Sequence, residues 1–325
     1  LKSKVKFYRE KEQKKFLEVF CYICTNFLAG MLSVSTQKTY TISKAKAYWL
    51  LLKPRLSFLV AFSASFGYIF GKKPPFDWLS FLALTLGGFL VSGASVTINQ
   101  ILEKDLDKIM TRTQNRPLPL GALQIGEAIR FTIFTLLVGI TLLATFTNTL
   151  TALLSLLSVF LYGFVYTPLK RKGSFAVFVG AIPGALPPLL GWTAATNQIS
   201  FEALIIFAVQ FIWQFPHFWA IAWVLDEDYQ KAGFRLLPSR EGRSLNSAIQ
   251  IMIYTLFLIP ISLLPALFGL TGIKSAIVVT AAGCLFAAQS FALMKDQTPR
   301  SALRIMFGSF LYLPIVQIAY LLDKV

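Results

Sequence analysis

The sequence predicts an all-α, polytopic membrane protein with about nine transmembrane helices around a central cavity open to the inner face of the bilayer. Three observations lead there. Of 325 residues, 55% are hydrophobic and 14% charged, with mean hydropathy +0.63, which is far more apolar than a soluble domain. From Leu50 onward, apolar runs long enough to cross roughly 30 Å of hydrocarbon recur with polar breaks between them. The formal net charge of +16 is dispersed over a terminal arm and short loops that alternate between rich and poor in basic residues. That pattern sets orientation in a membrane and excludes a soluble nucleic-acid-binding face.

Residues 1–47 form a basic N-terminal arm, in which ten Lys and Arg stand against Glu10, Glu12 and Glu18. Its lysines suit anionic lipid headgroups. A short apolar run over 16–34 lacks a clean small-x-small cleavage site, which argues against a signal peptide. Met31 opens a segment that reads as an ordinary polar N-terminus, so residues 1–30 are expected to be an upstream over-annotation. Cys21 and Cys24 have Cys-x-x-Cys spacing but no second pair to complete a zinc site, and Cys284 lies in an apolar run.

Residues 48–325 form the membrane domain, with spans expected near 51–70, 78–102, 128–147, 149–167, 174–193, 202–225, 247–269, 273–293 and 303–322. Pro183, Pro187 and Pro188 fall inside the fifth, where neighbouring helices can satisfy the freed backbone groups. The loops after spans two, four, six and eight carry clusters such as Lys104 to Arg116, Lys170 to Lys172, and Lys231 to Arg243. The opposite ends offer only Lys72, Lys73, Lys274 and Lys324. The positive-inside rule then puts the N-terminus and the even loops on the cytoplasmic side and the C-terminus outside. A bacterial cytoplasmic membrane is the expected location, ahead of the mitochondrial inner membrane.

Two long inner loops, 103–127 and 226–246, each begin with acids and continue into bases. Four spans separate them, which suggests a weak internal repeat. At the first, Asn99, Glu103 and Asp107 are spaced four apart, so on a helix they drift only about 40° per step and share one face. Asp226, Glu227 and Asp228 end span six. Carboxylate and amide oxygens suit Mg²⁺, which uses a few such ligands plus substrate phosphate oxygens. Arg112, Arg116, Lys170 and Arg171 provide the counter-charge for a diphosphate. A diphosphate head beside hydrocarbon points to an isoprenyl diphosphate, whose allylic cation the faces of Tyr166, Phe215, Trp219 and Tyr229 can stabilise. For each aromatic taken singly, packing or an interfacial belt is the plainer reading. Lys53 and Arg55, in Lys-Pro-Arg before span one, either reach the diphosphate or anchor the span by snorkelling, and snorkelling is the preferred reading.

These residues carry a family resemblance. Asn99-x-x-x-Glu103-x-x-x-Asp107 resembles the first acidic motif of the UbiA-type intramembrane prenyltransferases, which have nine transmembrane helices and two such motifs. Met110-x-Arg112-Thr-x-x-Arg116-Pro-Leu, YTPLKR from Tyr166 to Arg171, FPHFWAIAW from Phe215 to Trp223 and DYQKAG from Asp228 to Gly233 are similar to the protoheme IX farnesyltransferase (heme O synthase) subgroup. The resemblance covers roughly Trp49 to the C-terminus. It implies transfer of a farnesyl group from farnesyl diphosphate to a vinyl group of heme b, giving heme O and diphosphate. It also implies a downstream heme-modifying enzyme as partner.

Carried over, Asn99, Glu103 and Asp107 hold Mg²⁺ on the diphosphate, with Asp228 and Asp226 serving a second metal. Glu103 replaces the Asp of many superfamily members, and Ala232 stands where a second-motif acid is usual. His217, the only histidine, and Tyr166 are the acceptor-site candidates. A neutral imidazole can ligate heme iron or bond a propionate, and equally can pack as a hydrogen-bonded intramembrane side chain. The rival readings are prenylation of an aromatic quinone precursor and secondary transport. Transport is disfavoured because these acids gather at one face rather than at the midplane. Asp107→Asn is expected to cripple turnover and leave folding intact, on the premise that the acidic cluster faces water.

Overall fold

The computed structural model describes residues 42–72 and 75–325. The basic arm up to residue 41, with Cys21 and Cys24, and Lys73 lie outside the described residues. Among those described, the chain is helical except for turns and one bridge between Thr271 and Lys324, and Cys284 is a free thiol.

Helix α1 (Lys44–Leu51) starts where the Ser43 hydroxyl caps the Lys46 N–H. It meets α2 (Pro54–Gly71) at a 43° bend. The bend falls where the sequence requires it, because a residue preceding proline is pushed out of the α region and Lys53 takes φ 44°, ψ 63°. There follow α3 (Trp78–Leu102), the short α4 (Lys104–Ile109) and α5 (Ile125–Phe146). Helix α6 (Thr149–Phe160) runs through a π-helical turn (Leu161–Tyr166) into α7 (Thr167–Leu169). The remainder are α8 (Phe175–Thr196), α9 (Phe201–Val224), α10 (Asp226–Lys231), α11 (Leu245–Leu267), α12 (Ile273–Asp296) and α13 (Pro299–Leu322). Polar caps set the starts: Asp77, Asn148, Ser200, Ser244 and Thr298 each accept from a first-turn N–H. Gln124 and Glu127 form a capping box on α5. Among the described residues, eight helices are long and apolar enough to cross a membrane, or nine if the bent pair counts as one span.

Helices α2, α3, α5 and α6 each pack on the next, and α8, α9, α11 and α12 repeat that order, as the four-span repeat anticipates. Helices α8 and α9 pack on each other, and α13 touches both α9 and α2, closing the bundle. The tightest approach is α2 against α8. A Cβ on Gly67 would stand 1.9 Å from the Pro188 carbonyl, and one on Gly191 would stand 1.9 Å from the Ala64 carbonyl. Without a hydrophobic driving force between helices in lipid, such backbone proximity supplies the packing attraction.

At the same level Ser63, Gln210 and Gln317 bond one another at 2.8–3.0 Å, and Gln210 Nε2 donates to the Gly184 carbonyl at 2.8 Å. Four helices are thereby tied by one buried amide network. At the end away from the acidic motifs, Lys324 Nζ donates to the Ile69 and Lys72 carbonyls. The C-terminal ends of α3, α7 and α9 gather at the other end, where the site lies.

Candidate active site

Glu103 breaks the helix between α3 and α4, with φ −104° and ψ 12°. The i to i+4 ladder nevertheless continues through it: Glu103 N–H bonds the Asn99 carbonyl at 3.0 Å, and Asp107 N–H bonds the Glu103 carbonyl at 2.7 Å. Asn99, Glu103 and Asp107 therefore keep the common face that their spacing predicts. That face points into protein, for they are 3%, 5% and 0% exposed. The premise of a water-facing Asp107 is thus corrected.

Buried carboxylates need partners, and each has a cation. Lys170 Nζ lies 2.7 Å from Glu103 Oε2 and 2.5 Å from Oε1. Arg116 Nη1 lies 2.8 and 2.7 Å from the two oxygens of Asp107. Asn99 Nδ2 donates to Glu103 Oε2 at 2.9 Å and to Thr167 Oγ1 at 3.1 Å. Glu103 Oε1 is buried and held by the Lys170 ammonium alone.

Lys170 reaches this position through the π-helical turn. The wider turn is closed by Thr167, whose N–H and hydroxyl both bond the Tyr162 carbonyl. Lys170 Nζ then sits 5.2 Å from the Tyr166 ring and 5.5 Å from the Phe234 ring, a cation held between two π faces. Burial lowers its pKa, against the opposing pull of Glu103. Tyr166 fits because Gly180 has no Cβ, which would stand 2.7 Å from its ring.

The second acidic cluster divides. Asp228 accepts from Thr111 N–H at 2.7 Å and Arg112 N–H at 3.0 Å, so it stitches α10 to the loop after the first motif. Burial pushes its carboxyl up, but the N–H groups of Arg112 and Thr111, with Lys231 3.2 Å away, outweigh that and bring its pKa to about 2. Asp226 instead bonds Gln230 at 2.8 Å and lies 3.9 Å from Arg243. Burial raises its pKa, with Arg243 opposing.

Of the remaining predicted residues, Arg112 is exposed and within electrostatic reach of Tyr162, Tyr166 and Tyr229. Arg171 is exposed and takes no part in the ion pairs. His217 faces α13: its Nδ1 lies 2.7 Å from Ser309 Oγ, and its ring stacks on Trp213 at 4.4 Å. Phe215 and Trp219, on another face of α9, pack against Tyr254 of α11. Lys53 departs from the snorkelling expectation. Placed at the bend, it lies within electrostatic reach of Arg116, Lys170, Asp107 and Arg112, while Arg55 is exposed. Thr167 and Phe234 were not singled out in the sequence. Only the Thr within YTPLKR signalled the first, and nothing in the order of residues tied Phe234 to Lys170. Among the described residues, no three His, Cys, Asp or Glu side chains converge in a ready-made metal site.

Residues 60–313 match the UbiA prenyltransferase family. The chain belongs to that family. Within the UbiA prenyltransferases, it is 49% identical over 283 residues to protoheme IX farnesyltransferase of Cytophaga hutchinsonii, across 87% of this chain and 99% of that protein. A structure of digeranylgeranylglyceryl phosphate synthase is similar, with TM-score 0.72 at 20% identity, over 87% of this chain and 99% of that one. A UbiA homologue from Archaeoglobus fulgidus bound to DMAPP and Mg²⁺ has TM-score 0.61 at 18% identity, over 84% and 98% respectively. The helical arrangement is the UbiA fold.

Proposed function

We propose that this UbiA-family chain is a protoheme IX farnesyltransferase that joins the farnesyl group of farnesyl diphosphate to a vinyl group of heme b. The observation that carries the reading is the pair of buried ion pairs at the end of α3, Glu103 with Lys170 and Asp107 with Arg116. Each pair holds a group that favours a metal cation beside a group that favours a phosphate anion. Loading exchanges partners: Lys170 and Arg116 turn to diphosphate oxygens, joined by Arg112, Arg171 and Lys53, and the acids are freed.

The residues fit Mg²⁺. Asn99, Glu103 and Asp107 offer oxygen donors, Glu103 Oε1 is engaged only by the Lys170 ammonium, and Asp228 reaches the loop after the first motif whereas Asp226 stays with Gln230 and Arg243. When bound, Mg²⁺ supplies positive charge to the leaving diphosphate. In the reaction the allylic C–O bond of farnesyl diphosphate breaks and its electron pair leaves with the diphosphate, where Lys170, Arg116 and Arg112 stabilise the charge. The faces of Tyr166 and Tyr162, 5.3 Å apart, stand beside the developing allylic cation and contribute cation–π stabilisation. The vinyl group of heme b donates its π electrons to form the new C–C bond. Water then adds its hydroxyl to the adjacent carbon and releases a proton, giving heme O. His217 offers heme iron or a propionate only its Nε2, since Nδ1 is bonded to Ser309.

The acceptor and its product are held in a central cavity opening at the acidic face, in a bacterial cytoplasmic membrane with that face inward. A heme-modifying enzyme in the same membrane takes heme O onward. Purified protein given Mg²⁺, farnesyl diphosphate and heme b should form a farnesylated, hydroxylated heme and equimolar diphosphate. Failure to modify heme, with prenylation of 4-hydroxybenzoate in the same assay, overturns the assignment in favour of quinone-precursor chemistry.

A further inference from the structure

The contact between α12 and α13 carries a groove of about 410 Å³ on the outside of the bundle, lined by Gln289, Arg300, Leu303, Arg304, Phe307, Gly308 and Leu311. The α13 contribution is a single stripe at three- and four-residue steps, so it follows one helix face. From Arg300 to Leu311 the stripe rises by about 16 Å at 1.5 Å per residue. That is about the depth of one leaflet of a hydrocarbon core roughly 30 Å thick. The arginines stand at the membrane-surface end, and Phe307 and Leu311 lie deeper, 57% and 66% exposed.

Two features distinguish this groove from an ordinary lipid-facing seam. Arg300 and Arg304 are exposed cations with no ion pair within 4 Å among the described residues; Asp296 bonds Thr298 and Ser301 and attracts Arg304 only at longer range. One turn below Arg304, the amide of Gln289 reaches the groove floor at Gly308, where a Cβ would stand 2.1 Å from Gln289 Oε1. That oxygen is buried and has no hydrogen-bond partner. The other end of the amide, Nε2, makes no hydrogen bond among the described residues and can donate to a carbonyl oxygen of a ligand at this depth.

We infer that this groove is a binding site for one anionic glycerophospholipid. Its phosphate lies between Arg300 and Arg304, an ester carbonyl accepts from Gln289 Nε2, and an acyl chain lies along Leu303, Phe307 and Leu311. The charge of the mouth selects an anionic over a zwitterionic headgroup, since each basic side chain at the surface favours anionic lipid. None of these residues belongs to the prenyl-transfer site.

The test is native mass spectrometry of the delipidated full chain, titrated with phosphatidylglycerol and phosphatidylcholine of matched acyl chains. The expected result is one phosphatidylglycerol per chain, with a preference over phosphatidylcholine that falls about thirty-fold in Arg300→Gln/Arg304→Gln. Both substitutions are on exposed side chains, so the fold is kept, and unchanged farnesyl transfer in detergent checks it. Gln289→Leu should weaken both lipids without altering the preference. Equal affinity for the two lipids in the natural sequence overturns the proposal. So does an undiminished preference in the double variant, or a second copy of the chain occupying the groove in place of lipid.

Discussion

At the scale of single residues, the two buried pairs at the end of α3 govern what substitutions do. Asp107→Asn removes one charge and leaves Arg116, only 16% exposed, without its counter-ion. Breaking a buried pair in this way costs about 3–5 kcal/mol, and under the proposed function the loss of this charge costs about 100-fold or more in turnover. Both effects are expected together, read as kcat and as the thermal melting midpoint in detergent. Asp228 allows a pH test. Its folded pKa of about 2 lies below its ordinary 3.8, so the stability it contributes is present above about pH 4 and lost as pH falls toward 2. Protection of the Thr111 and Arg112 amides, taken relative to their intrinsic exchange rates, should fall over that window, and Asp228→Asn should show weak protection at every pH.

At the scale of elements, legibility follows from how each signal is encoded. Span positions were readable within a few residues because length and apolarity act locally; α3 runs from Trp78 to Leu102 as expected. The break at Glu103 and the π-helical turn before Lys170 were not, and the choice between an inward and a snorkelling Lys53 stayed open, since each depends on packing between segments distant in sequence. The α2–α8 contact shows the same contrast. Gly67 and Gly88 look alike in the chain, yet a Cβ on Gly67 meets Pro188 backbone whereas one on Gly88 meets nothing within 4 Å. Gly67→Ala should therefore lower the melting midpoint sharply, by about 3 kcal/mol or more of stability. Gly88→Ala should be neutral or stabilising by up to about 1 kcal/mol. Equal melting midpoints for the two variants would count against the close approach of these helices.

At the scale of the whole molecule, the acidic motifs were legible as a constellation because their spacing is periodic and their membrane face is marked by charge. Their internal ion pairing was hidden, because Asp107 with Arg116 and Glu103 with Lys170 are joined by turns whose course no spacing rule describes. His217 shows the same limit from the other side: its context is conspicuous in the sequence, yet its bonded partner, Ser309, lies 92 residues away. The resting ion pairs also bear on how the protein is made. A site built of bare carboxylates would repel itself until metal arrived, and a newly inserted chain would depend on its substrate to close. Here Glu103 and Asp107 each arrive with a neutralising base, so under the proposed function biogenesis is decoupled from supply of metal and isoprenoid. Chelation with EDTA should abolish farnesyl transfer yet leave the melting midpoint of the ligand-free protein within about 1 °C. A cell short of magnesium or isoprenoid would then accumulate an idle but fully assembled enzyme, ready to start when either returns.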